Sequence, residues 1–257
     1  NSQRQQSVVD LIALVVDETI AQLAGIQPSL HSRWLLPPIT LAYSDTIVVA
    51  FPLKPEKRIA QDVFFWINTV IGKLQALFLL DNVLLRGAIG YGDLHVWKYG
   101  VYGSAVMDVK NEYEATDWAG VHYGECASRV GARWLQFRMN NNVHDSRSAP
   151  GTNHSLLHTN LVPWEVPFKR SVDLPMRLVV PWPQEVANAI HLDALDAISS
   201  TTPHQRVRLA LRPLLDSGRL DLEKKARNTM TFVDWYFRKF PDFDANLPID
   251  ENMPVIE

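Results

Sequence analysis

At 257 residues, with 47% apolar and 21% charged side chains, the chain can build one large domain, or a domain with an extension, around a sizeable core. Its 25 basic and 28 acidic residues leave a net charge of −3, which argues against a general nucleic-acid or anionic-membrane binder and leaves room for a local anion site. The single cysteine, Cys126, excludes an intramolecular disulfide framework and fits a reducing cytoplasm; it reads as a small buried apolar residue, with a nucleophile as the alternative.

No apolar run approaches the ~18 residues of a membrane span, and no basic-then-apolar leader opens the sequence, so a soluble, cytoplasmic protein is expected. In chain order, Ser7 to Gly25 carries Val8, Leu11, Ile12, Val15, Val16, Ile20 and Leu23 at helical spacing. After Pro37-Pro38 comes a hairpin, with β-branched and aromatic residues on both arms from Ile39 to Phe51 and Ser44-Asp45 at its tip. Arg58 to Leu80 is a second amphipathic helix. Val83 to Val96 reads as a strand, a glycine-rich turn and a returning strand, followed by a short extended piece over Tyr99 to Tyr102.

Gly103 opens a third helix, with Ala105, Val106, Val109 and Tyr113 as its inward face, closing near Trp118-Ala119-Gly120. Val121-His122-Tyr123 is a further strand, and Glu125 to Met139 a further helix. Residues 140–160 form a polar, flexible loop that separates a core over 1–139 from an extension over 161–257. Within that extension, proline-broken extended segments at Val162 to Lys169 and Leu178 to Pro183 precede helices over Pro203 to Leu215 and Leu220 to Phe240. The acidic tail from Pro241 is a solvated or partner-draped end. Helix, hairpin, helix, hairpin, helix predicts an α+β fold. With a strand ahead of the first helix, the order becomes the β-α-β-β-α-β ferredoxin-like plan, with a helical C-terminal extension.

Three places carry candidate chemistry. Asp45 at a stiff hairpin tip offers the hard oxygen that Mg²⁺ or Mn²⁺ takes, and equally reads as a turn residue bonding its own bend. Arg86-Gly87-Ala88-Ile89-Gly90-Tyr91-Gly92-Asp93 combines a planar guanidinium with glycines that permit close approach of a ligand, or that serve only strand and turn geometry. Gly103-Ser104 at a helix start presents free N–H groups to an anion, or is a plain helix N-terminus. The histidines show no zinc spacing, and the basic residues from Arg206 to Arg227 read as a solvated helix face.

Taken in order, Tyr43-Ser44-Asp45-Thr46, Leu85-Arg86-Gly87-Ala88-Ile89-Gly90-Tyr91-Gly92 and Tyr102-Gly103-Ser104-Ala105 resemble the catalytic domain of class III nucleotidyl cyclases. Trp118-Ala119-Gly120 and Val166-Pro167-Phe168-Lys169 extend the likeness to a divergent bacterial branch that includes the pyrimidine cyclases of Pycsar antiphage defence. The resemblance covers about residues 38–123. It implies a cytoplasmic homodimer with composite active sites and a two-metal Mn²⁺ or Mg²⁺ mechanism. A nucleoside triphosphate, UTP or CTP by preference, would become cyclic UMP or CMP and pyrophosphate. Neither nucleic acid nor a membrane is an expected partner. On this resemblance Asp45 is the catalytic metal ligand, Tyr43, Arg86, Gly103 and Ser104 contact substrate, and a second metal carboxylate lies upstream of Asn1.

Departures from the family pattern are visible too. Met107 and Asn111 stand where the family places its transition-state Asn and Arg, leaving Arg86 or Lys169 as conceivable substitutes. Leu41 replaces a base-selecting Lys of purine cyclases. The alternatives are a catalytically silent cyclase-like domain that binds a nucleotide or partner, and another palm-type nucleotidyltransferase.

Overall fold

Ile39–Tyr43 (β1) and Thr46–Ala50 (β2) pair antiparallel from Tyr43↔Thr46 to Ile39↔Ala50, which leaves two connecting residues, Ser44 and Asp45. The structure, a computed structural model, describes residues 39–43, 46–53, 61–80, 83–97, 100–110, 112–140, 161–169, 176–186 and 201–241. Asp45 itself, the helix expected over Ser7 to Gly25, the loop after Asn140 and the tail beyond Pro241 lie outside these residues.

Gln61–Leu80 (α1) is helical, as the spacing predicts, and buries Phe64, Val70, Leu74 and Leu79 along one side. Gly87–Ile89 (β3), Val121–Tyr123 (β6), Met176–Val179 (β8) and Val162–Glu165 (β7) form one sheet in the order β3-β6-β8-β7. β3 and β6 run parallel; the other neighbours are antiparallel. All three residues of β6 are buried, so this strand is covered on both faces and forms the centre of the domain.

The expected hairpin over Val83 to Val96 does not form. β3 pairs with β6, while His95–Trp97 (β4) pairs with Gly100–Tyr102 (β5) in a separate ribbon. The glycine turn at 90–92 therefore redirects the chain instead of reversing it. The third helix is also shorter than its pattern, divided into Ser104–Val109 (α2) and Glu112–Ala115 (α3). Neither piece holds a fully buried residue, so the expected inward face of Ala105, Val106, Val109 and Tyr113 is only half-covered.

Glu125–Asn140 (α4), Pro203–Leu215 (α5) and Leu220–Lys239 (α6) follow the sequence pattern closely. Thr202 and Gln205 make a reciprocal capping box on α5, with Pro203 in the first turn where no N–H is needed. β8 stops at Val179, and 182–186 turn helical with Pro183 in that first turn. Phe232 of α6 lies among Trp118, Trp164 and Trp182, with ring centroids 5.1, 5.3 and 6.4 Å away. Aromatic burial of this kind dominates a core's energetics.

The segment before β6 is tied to α6 by polar bonds. Lys224 Nζ lies 2.6 Å from the buried Asp117 carboxylate, Asn228 donates to the Asp117 carbonyl, and the Ala119 N–H donates to Thr229 Oγ1. Trp118-Ala119-Gly120 is thus a packing motif. A Cβ on Gly120 would sit 2.6 Å from the Trp118 ring.

Candidate functional site

β3 ends at Gly90, and there three backbone segments converge. A Cβ on Gly90 would lie 2.1 Å from the Ala105 carbonyl oxygen, so the first turn of α2 packs directly against the glycine's bare backbone. Gly103 has φ +138, and a Cβ on it would lie 2.2 Å from the Asp93 carbonyl oxygen. The two glycine motifs read separately in the sequence are therefore one junction. It is closed by Asp93 N–H donating to Ser104 Oγ at 2.9 Å and Ala105 N–H donating to the Asp93 carbonyl at 3.2 Å.

Asp108, which sequence reasoning passed over between Met107 and Asn111, holds the third segment. Its Oδ1 accepts from the Cys126 N–H at 2.9 Å. Its Oδ2 accepts from Ala127 N–H at 3.2 Å and Tyr91 N–H at 3.3 Å. One carboxylate thus caps α4 and pins the glycine turn. Its charge also complements the positive end of the helix. Local capping rules search the residue at the helix boundary, and here that residue is Gly124. The cap comes from a distant segment, so no local signal marks it.

Cys126 does not follow the expectation of a buried apolar residue. It is exposed in the first turn of α4, with the Arg129 guanidinium 3.5 Å from its sulfur. Beside the junction, the β4–β5 ribbon exposes aromatic surface. Trp97 is 65% exposed, Tyr102 60%, and His95 stacks on Tyr102 at 4.9 Å. Met107 is exposed on α2.

Arg86 sits at the other end of β3. Four residues of extended chain, about 13 Å, separate it from Gly90. Arg86 is exposed and points a nitrogen at the Glu114 carbonyl, 3.4 Å away; Lys169 Nζ donates to the same oxygen at 2.5 Å. The structure thus brings Arg86 and Lys169 together at the end of α3, and Gly103 and Ser104 together with Gly90 to Asp93. The Arg86 backbone lies apart from the second group. Tyr43 closes β1 opposite Thr46, and Leu41 pairs with Val48. Among the described residues no group of three His, Cys, Asp or Glu side chains is placed to hold a metal ion.

α3 is fastened to the sheet by a charged bridge. Glu112 lies 3.2 Å from the fully buried His122 Nε2 and 3.3 Å from Arg177 Nη2. His122 pairs with Val179, so Arg177, two residues earlier on β8, shares its face. Partial burial alone raises the Glu112 pKa, but the bonds from His122 and Arg177 outweigh it and hold the carboxyl below its ordinary range. Such a group stabilises the fold above its ordinary pKa, and that contribution is lost as pH falls through the lowered value. Glu112→Gln should therefore lower stability by about 1–3 kcal/mol at pH 7. Urea midpoints of the two proteins should converge as the solution is taken to acid below the ordinary carboxylate range. A difference that stays constant with pH counts against the bridge. Tyr123, buried behind the same strand, donates to Asn68 Oδ1 at 2.8 Å, and burial pushes its hydroxyl pKa up.

The basic residues of α5 and α6 behave as a solvated face, several of them paired with a near neighbour in the chain, as Arg212–Asp216 and Arg227–Glu223 are. No helix of the described residues is long and apolar enough to cross a membrane. No protein-family model matches the chain, and neither a curated protein nor a solved structure matches it significantly.

Proposed function

We propose that the chain is a metal-dependent nucleotide cyclase with a ferredoxin-like core, acting as a homodimer on UTP or CTP to make a cyclic pyrimidine nucleotide for antiphage signalling. One observation carries the reading. The glycine turn after β3 and the Gly103 helix start are far apart in the ribbon-interrupted sequence, yet they meet as one backbone junction, with a two-residue hairpin tip bearing Asp45 earlier in the chain. Asp45 supplies the hard oxygen suited to Mn²⁺ or Mg²⁺, partnered by a carboxylate beyond the described residues. The cation, when bound, contributes neutralisation of the triphosphate charge. Gly103 and Ser104 face the phosphates, Tyr43 orients the nucleotide beside Asp45, and Arg86 or Lys169 contacts phosphate or base.

A second reading has its own support. The Ala105 N–H and Ser104 Oγ at the helix start are both engaged by Asp93, and an exposed Met107 stands at the position expected of a transition-state side chain. These features favour a cyclase-like domain that binds a nucleotide without turning it over.

Full-length protein incubated with each of the four NTPs and Mn²⁺ separates the two, with pyrophosphate and cyclic nucleotide followed together. The expected result is turnover of UTP or CTP, reduced about 100-fold or more by Asp45→Asn with an unchanged urea midpoint. Binding without turnover selects the silent domain. Normal turnover by Asp45→Asn removes Asp45 from the site.

A further inference from the structure

Away from the junction, α1, the segment leading into β3 and the turn after β8 enclose a small slot. Its apolar walls are Leu79, Val83, Leu84, Leu85 and Ala119, and its two polar side chains are Gln75 and Trp182. Gln75 is 5% exposed and Trp182 2%. Neither Gln75 Oε1 nor Trp182 Nε1 has a hydrogen-bond partner among the described residues. More than nine in ten buried polar groups in native proteins are paired, with protein or ordered water, so two unpaired atoms lining one slot demand a common explanation.

The two atoms are chemically opposite. An indole N–H only donates, and an amide oxygen only accepts. A cation would face the N–H and an anion would face the oxygen, so each would satisfy one group and oppose the other. A molecule that both accepts and donates suits both at once. The slot measures about 10 Å³, about the size that holds a single water. Apolar walls leave a larger polar ligand nothing further to bond.

We infer that this slot is a binding site for one ordered water, which accepts from the Trp182 indole and donates to Gln75 Oε1. The water joins α1 to the turn after β8, two elements that flank the sheet on which the glycine junction is built. The inference stands or fails independently of the cyclase reading, because it concerns neither nucleotide nor metal.

The test uses the full chain with its tryptophan indoles ¹⁵N-labelled, and water itself as the probe. A long-lived water contact is expected at the Trp182 indole N–H, with the resonance assigned by its disappearance in Trp182→Phe. Gln75→Leu, which removes the acceptor, should abolish that contact and leave the Trp118 and Trp164 indole signals unchanged. If Trp182→Phe does not fold, a high-resolution crystal structure of the wild-type chain gives the second readout, a solvent peak about 3 Å from both atoms. A wild-type indole with no long-lived water contact, a dry slot, or a direct Gln75–Trp182 bond overturns the inference.

Discussion

Gly90→Ala is expected to destabilise the protein by about 3 kcal/mol, near the upper end of what overpacking costs. The added methyl would stand 2.1 Å from the Ala105 carbonyl oxygen and 3.0 Å from Val109 Cγ1. The nearer atom is backbone, so no side-chain rotation relieves the contact and the start of α2 must move. That movement breaks the bonds between Asp93 and Ser104 and between Asp93 and Ala105 that close the junction. Gly100→Ala is the matched control, because nothing lies within 4 Å of the Cβ it would add; it should change stability by no more than about 0.5 kcal/mol. Urea unfolding reads both, the first as a lower midpoint with an unchanged slope. In the nucleotide assay, Gly90→Ala should also cut product formation about 100-fold, since displacement of roughly 1 Å around a positioned phosphate has that effect. Equal midpoints for the two variants would show that the close approach at Gly90 is not a constraint.

The same glycines explain where sequence reading succeeded and where it stopped. Periodicity placed α1, α4, α5 and α6 well, because each presents an apolar stripe at helical spacing to one core. Glycine content marked 87–92 and 103 as places of unusual backbone, and both are. What it could not give was the partner. A strand–turn–strand pattern is identical whether the turn reverses the chain or passes it to a separate ribbon. The parallel pairing of Gly87–Ile89 with Val121–Tyr123 is decided by residues more than thirty positions away. Likewise Trp118-Ala119-Gly120 was legible as a motif, but its meaning lies in α6, where Lys224, Asn228 and Thr229 fasten it. Arg86 and Lys169 were conceivable substitutes for one another, and they do meet at one carbonyl. The backbone length of β3 then sets Arg86 apart from Gly103, a separation that residue identity alone does not reveal.

Asp108→Ala is the second large effect, expected at about 2–3 kcal/mol. The carboxylate accepts three backbone N–H groups, from Tyr91, Cys126 and Ala127, and two of these are orphan donors in the first turn of α4. Losing a cap costs about 0.5–2 kcal/mol, and a charged acceptor that also serves a distant segment raises that figure. Water reaches the exposed Cys126 amide and replaces part of the loss there. The half-covered Ala127 amide is less well compensated. Asp108→Asn keeps one acceptor oxygen but turns an NH₂ toward N–H donors, so its stability should fall between wild type and alanine. Amide hydrogen exchange gives the specific readout. Cys126 and Ala127 should exchange faster in Asp108→Ala, with Tyr91 following because the glycine turn loses its tether. Unchanged protection at Ala127 would mean that the carboxylate is incidental to the helix. The comparison with Asp45→Asn then separates architecture from chemistry. Asp108→Ala should lower the unfolding midpoint and turnover together, because it loosens the junction that the substrate needs. Asp45→Asn should remove turnover from a protein whose midpoint does not move.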